Sequence, residues 1–184
     1  MESERPRYRY RKARGFSLIE LVTVVAIVAI MLSVAVPSFQ EFIVNYRASV
    51  QTNDLLADIA VARSEAVKFA RVTRVEAAPG GWTDGWIVGT DLNASGTIDA
   101  DEIVKRHGPA EDGFTIAGGT TAGAAAAAIG FGVTGQLVLP AGPLGIEFEI
   151  CRPDNDPDKS RGVVVTRLGR ASSQKAVSNA SFSC

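Results

Sequence analysis

The hydrophobic pattern divides the chain into three stretches. From Leu21 to Val36 it reads LVTVVAIVAIMLSVAV, uncharged, with Thr23 and Ser33 as mild polar interruptions. Extended back to Phe16, this run makes about 21 residues, roughly 30 Å as a helix, enough to span a hydrocarbon core. Beyond Pro37 the pattern becomes one-sided. Phe39, Phe42, Ile43, Tyr46 and Val50 recur at three-to-four spacing, followed by Leu55 or Leu56, Ile59, Ala62, Ala66 and Ala70. Asp58, Arg63, Glu65, Lys68 and Arg71 fall largely off that stripe. No Gly or Pro interrupts it, so a single helix is predicted over 16–75, with a membrane-spanning first half (16–36) and an amphipathic second half.

The remaining residues, 76–184, form short β-branched runs separated by Gly, Pro and Asp clusters. Strands are predicted at Gly85–Thr90, Glu102–His107, Phe114–Ala117, Ile129–Val133, Gln136–Leu139, Ile146–Cys151 and Gly162–Leu168. The alanine-rich Gly118 to Ala128 carries little pattern and is expected to be a loop. The fold class is therefore α+β: a long N-terminal helix packed against a small antiparallel β-sheet head.

Charge orients this arrangement. Arg5, Arg7, Arg9, Arg11, Lys12 and Arg14 precede Gly15, against Glu2 and Glu4. The positive-inside rule places residues 1–15 in the cytoplasm and the C-terminal body across a membrane. Taking these six and two away from totals of 19 basic and 20 acidic side chains leaves 13 and 18, a balance of −5 for the rest. A general attraction to nucleic acid is not expected of such a body. An ordinary signal peptide does not fit, because no small-x-small cleavage pattern precedes a polar mature start. Glu20 also stands inside the apolar run, where a charge costs at least about 2.5 kcal/mol near mid-membrane. It is either an acid tolerated at the membrane edge or one with a cationic partner.

Arg14-Gly15-Phe16-Ser17-Leu18-Ile19-Glu20-Leu21 resembles the prepilin processing motif of type IV pilins and type II secretion pseudopilins. The resemblance implies that a prepilin peptidase cuts after Gly15, releasing the leader 1–15, and that the new N-terminus, Phe16, is methylated. It implies that Glu20 pairs with the N-terminal amine of a neighbouring subunit during assembly. Pro37 matches the family's helix-kinking proline. Ala62-Arg63-Ser64-Glu65-Ala66 resembles a segment of the GspH/FimT group of minor pilins. Further matches are Trp82-Thr83-Asp84-Gly85-Trp86, Asp91-Leu92-Asn93, Ile129-Gly130-Phe131, the Gly135 turn, and Val163-Val164-Val165-Thr166 leading into Leu168-Gly169-Arg170. The family likeness implies a pilin-like fold and a minor structural subunit that initiates or caps a type IV pilus or a type II secretion pseudopilus. Its partners would be the prepilin peptidase, other pilin or pseudopilin subunits and the inner membrane. The chain would be single-pass, with its head in the periplasm, before joining the filament.

Other local patterns add chemistry. The two cysteines, Cys151 and Cys184, make no CxxC, and with one histidine, His107, they exclude a Cys/His zinc site. The even count and the terminal position of Cys184 suggest a disulfide tying down the tail, with two buried thiols as the alternative. Residues 91–102 fit the EF-hand loop template, with Asp91, Asn93, Ser95, Asp99 and Glu102 as oxygen ligands and Gly96 at the sixth position. Their flanks read as strands, however, and Asn93-Ala94-Ser95-Gly96 is also a good turn sequence. The segment is either a hairpin without metal or one stiffened by Ca2+; no other cofactor is implied. From Lys159 onward the ionisable side chains are Lys159, Arg161, Arg167, Arg170 and Lys175, with no acid. Some FimT-like minor pilins take up DNA through a basic C-terminal Gly-Arg-x-Arg motif. Gly169-Arg170-Ala171-Ser172 lacks its second arginine, so Arg161, Arg167, Arg170 and Lys175 are either DNA contacts or the charges of a protected edge strand. His107 has no nucleophile or phosphate-binding motif near it in sequence, and the chain is not expected to be an enzyme.

Overall fold

The computed structural model describes residues 15–111, 113–142 and 145–175. The leader through Arg14, and Cys184, lie outside the described residues. The chain forms two compact units, one through Glu41 and one from Phe42 onward. Helix α1, Leu18–Phe69, contributes to both and continues through Pro37.

In the first unit Ser17 caps the helix. Its Oγ accepts the Glu20 amide at 3.3 Å, and its carbonyl accepts the Leu21 amide at 3.2 Å. Ser-x-x-Glu is a capping-box sequence, and a carboxylate in the first turn faces the positive end of the helix dipole. The side chains from Leu18 to Gln40 are exposed, and the helix is long and apolar enough to cross a membrane. Its hydroxyls are satisfied internally, as lipid would require: Thr23 donates to the Ile19 carbonyl at 2.8 Å and Ser33 to that of Ile30 at 2.7 Å.

In the second unit the buried helix face is Ala48, Gln51, Thr52, Leu55, Asp58, Ile59, Ala62 and Ala66. This corrects the predicted stripe in its first half, because Phe42 and Tyr46 are exposed. The three alanines leave room for the sheets to approach closely, so the helix turns that face inward rather than its aromatic rings. The helix also stops at Phe69 instead of reaching Val75. Ala70 adopts a left-handed φ of 52°, and the Arg71 amide closes onto the Ala66 carbonyl at 3.2 Å in a Schellman-type cap. The β-branched Val72, Thr73 and Val75 then favour a strand over another helical turn.

Among the described residues, nine antiparallel strands form two sheets. The first five are β1 (Thr73–Ala78), β2 (Gly81–Thr90), β3 (Ile103–His107), β4 (Thr115–Thr120) and β5 (Ala128–Phe131). The last four are β6 (Leu137–Leu139), β7 (Ile146–Cys151), β8 (Arg161–Val165) and β9 (Ala171–Lys175). One sheet has the order β3-β2-β1-β5-β6 and the other β4-β7-β8-β9. Val75, Trp82, Trp86, Val88, Ile129, Phe131 and Leu137 from the first meet Ile116, Ile146, Phe148, Ile150, Val163 and Val165 from the second in one core with the helix alanines, Leu55 and Ile59. The Trp82 and Phe148 rings meet edge-to-face at 4.8 Å. The alanine-rich segment is better ordered than its composition implies. It takes the Trp82 indole N–H on the Ala126 carbonyl at 2.7 Å, and its Ala127 carbonyl accepts the Ala77 amide at 2.8 Å.

Candidate functional site

Gly15 and Phe16 precede the helix without regular structure and are exposed. A side chain added at Gly15 would meet nothing within 4 Å, so its glycine identity is not required by packing. Glu20 lies on the exposed first turn of α1. Gly15, Phe16 and Glu20, the residues expected to be cleaved, methylated and paired, are thus accessible at one helix end.

The loop following β2 satisfies its own carboxylates. Asp91 accepts the Ser95 amide on Oδ1 and the Gly96 amide on Oδ2, both at 2.9 Å. Glu102 accepts the Leu92 and Asn93 amides on Oε1, at 2.8 and 3.1 Å, and the Asp99 amide on Oε2 at 3.1 Å. Asn93 donates to Asp99 at 2.9 Å, and the Ser95 hydroxyl bonds to Thr97. The Asp99 amide, reinforced by those of Asn93 and Leu92, holds Glu102 below the usual carboxylate range against desolvation and Asp91. The Asp91 and Glu102 oxygens are thus taken up by backbone amides of the loop itself. Among the described residues no group of three or more His, Cys, Asp or Glu is arranged to hold a metal ion. The residues as placed do not fit a calcium cage; the glycine and acids of the template build a self-capped turn.

The basic residues separate into two groups. Arg161 and Lys175 are cross-strand partners at one end of the β8–β9 hairpin. Arg167 and Arg170 sit at the other end, in the turn joining the strands. Four residues along a strand is about 13 Å, so the four cations do not form one cluster. β9, which local sequence pattern does not signal, is an exposed edge strand of small polar residues ending in Lys175.

At the Arg167–Arg170 turn the fold brings together three motifs that are far apart in sequence. Arg63 Nε donates to the Gly135 carbonyl at 3.0 Å. Gly169, with φ of 75°, packs so closely that a Cβ there would lie 2.0 Å from the Gly135 oxygen and 3.2 Å from Arg63 Nε. Two glycine turns, 132–135 and 166–169, thus meet on one helix arginine. All three segments carry the family resemblance, but sequence reasoning assigns Arg63, Gly135 and Gly169 no role; their shared site is set by topology.

A second helix-to-sheet tether has no sequence signal. Asp58 is fully buried and accepts the Trp86 indole N–H at 2.9 Å and the Lys105 ammonium at 2.5 Å. His107 Nδ1 lies 3.6 Å from the same carboxylate, and its ring stacks flat on Trp86 with centroids 4.0 Å apart. The single histidine therefore packs beside the structural ion pair of Lys105 and Asp58. Farther along, the buried Arg152 donates to Asn45 at 2.7 Å and to both oxygens of Asp154. Cys151 ends β7 and is buried, and no described cysteine is free.

An exposed apolar helix with a capped acidic first turn, together with a two-sheet head built on an α-helix, defines a pilin-like filament subunit. Residues 51–169 match the family model for type II transport protein GspH, and residues 10–36 match the prokaryotic N-terminal methylation motif. The first match covers most of the chain, which belongs to the GspH family of minor pilins and pseudopilins of type IV pilus and type II secretion systems. The methylation motif implies processing by a prepilin peptidase, and the family implies assembly with other pseudopilins. In two crystal forms, the type IV minor pilin FimU of Pseudomonas aeruginosa PAO1 is 25% and 26% identical, with TM-scores of 0.56 and 0.53. Each match covers 70% of this chain, and 88% and 93% of FimU respectively. The minor pseudopilin EpsH of the Vibrio cholerae type 2 secretion system is 11% identical at a TM-score of 0.49, over 70% of this chain and 97% of EpsH. No curated protein matches significantly. The family is one of structural subunits, not enzymes.

Proposed function

We propose that the chain is held in the inner membrane by its apolar helix, head in the periplasm, until cleavage after Gly15, and then helps initiate or cap its filament. The observation that carries this is the accessible Gly15-Phe16 junction, one turn before Glu20, at the start of an exposed apolar helix within the matched methylation motif. Cleavage exposes the Phe16 amine, which is methylated. Glu20 pairs with the corresponding amine of a neighbour, which offsets the penalty of a carboxylate in an apolar setting.

A disulfide between Cys151 and Cys184 would secure the tail. Lys175 pairs with Arg161, which pairs with Ile150, so β9 ends two strands, about 10 Å, from Cys151's neighbour. The nine residues from Ala176 to Cys184 are ample to cover that distance. DNA capture by Arg161, Arg167, Arg170 and Lys175 is the less supported reading, since the two pairs stand at opposite hairpin ends.

The test is Gly15→Ala in cells that assemble the filament. The variant should accumulate as leader-bearing precursor, while Glu20→Ala should be trimmed yet recovered poorly in filaments. Normal trimming of the first variant, or normal incorporation of the second, overturns the corresponding step.

A further inference from the structure

The two-turn platform on Arg63 presents a surface that no other described part of the head covers. Leu168, beside Gly169, is 80% exposed, and Val133, inside the facing turn, is 51% exposed. Val67, whose methyl would lie 3.3 Å from a Cβ at Gly135, is 53% exposed. All three lie within two residues of the Gly135–Gly169 contact or touch it directly, so the apolar side chains share one place. Arg167 and Arg170 flank Leu168 in sequence. Arg170 is exposed; Arg167 is half-buried, with its Nη1 shielded from solvent and lacking an acceptor, and among the described residues neither arginine is paired with a carboxylate. The open depression beside the platform is lined by Ala60, Arg63, Ser64, Val67 and Lys68, giving small side chains and further cationic ones.

We infer that this platform is a docking surface for the acidic face of a neighbouring head in the same filament, with Leu168 as its apolar centre and Arg167 and Arg170 as its charged rim. Charge complementarity selects the partner. After Gly15 this chain has 13 basic and 18 acidic side chains, so a basic patch is the minority surface. Asp84, Asp99 and Asp101 are exposed acids of the kind that such a head presents. The apolar centre separates a protein partner from a nucleic acid. A phosphate backbone gains little from covering Leu168, Val133 and Val67, whereas protein interfaces combine a desolvated apolar centre with arginine. A basic patch meeting an acidic patch elsewhere on the next subunit is a heterologous contact, the kind that propagates along a filament. Arg63 acts as a positioning residue, fixing the Gly135 turn against which the Leu168 turn rests.

This inference rests on the chain's being a filament subunit. The experiment is the full-length chain carrying Leu168→p-benzoylphenylalanine, expressed with its filament system and irradiated in cells. We expect a crosslinked product in which mass spectrometry places position 168 on an acidic segment of another subunit of that filament. Arg167→Glu/Arg170→Glu should reduce the product at least tenfold, and Arg167→Lys/Arg170→Lys should retain it; leader removal should be normal in all three. Absence of a subunit adduct in a trimmed chain, an adduct with DNA, or a yield indifferent to the charge reversal overturns the inference and leaves the filament reading intact. Failure of the unsubstituted chain to be trimmed would count instead against that reading.

Discussion

Arg63 Nε donates to the carbonyl of Gly135, 72 residues away, at 3.0 Å, and so fixes where two turns of the head can meet. Gly169 completes the arrangement by approaching that same carbonyl with no side chain between them.

Gly169→Ala should therefore be far more damaging than a positive φ alone explains. Its Cβ would lie 2.0 Å from backbone oxygen, which cannot rotate away as a side chain could. Gly96, with φ of 84°, serves as the control, because a Cβ there meets nothing within 4 Å. Denaturant titration should show a loss of about 1–2 kcal/mol for Gly96→Ala from the left-handed backbone. The loss for Gly169→Ala should exceed about 3 kcal/mol, since strain and collision add. Equal losses would mean that the two turns relax apart easily.

The helix end offers a stabilising change. Ala70 occupies the left-handed position of the cap with φ of 52°, where glycine is normally preferred. Ala70→Gly relieves the Cβ penalty but loosens the unfolded chain, and the first effect is the larger. Stability measured in urea should rise by about 0.5–1 kcal/mol. A fall would show that the helix terminus is held by β1 rather than by its own cap.

How far the sequence revealed this molecule depends on the range of the interactions involved. The apolar anchor, the processing motif and most strands rest on local patterns, and those were legible. The buried helix face was half legible: Leu55, Ile59, Ala62 and Ala66 follow the expected stripe, but Phe42 and Tyr46 face outward because Ala48 and Gln51 form the inner side. The EF-hand-like spacing at Asp91 also suits a turn rich in amides, which uses the same acceptors, so the pattern by itself does not separate the two. Strand β9 and the Asp58–Trp86–Lys105 tether could not be read, because each requires a partner placed by the whole topology. Strand propensity in Ala-Ser-Ser-Gln-Lys is low, and pairing with β8 overrides it.

Glu102 should make the head acid-sensitive and indifferent to calcium. Amides of Asp99, Asn93 and Leu92 favour its ionised form, lowering its pKa in the folded state. A depressed folded pKa contributes stability above the unfolded value, lost as pH falls through the folded one. Glu102→Gln should lower the melting temperature at pH 7 and lose less than the parent on acidification. Millimolar calcium should leave the parent's melting temperature at its value in chelator. A calcium-dependent rise abolished by Glu102→Gln would show that the loop reorganises around the ion.

Glu149 should behave with the opposite sign. It lies in β7 at 5% exposure, on the strand face away from Phe148 and Ile150, and its Oε2 has no hydrogen-bond donor. Burial pushes its pKa up, because desolvation disfavours the charged form. A raised folded pKa contributes stability that is fully present below the unfolded value and is lost as pH rises through the folded one. Glu149→Gln cannot lose a proton, so its advantage over the parent should appear as pH rises above about 4, the ordinary carboxylate value, and level off beyond the folded value. Melting temperatures of both proteins from pH 4 to pH 8 provide the check. Parallel curves would show that Glu149 keeps an ordinary solvation in the folded head.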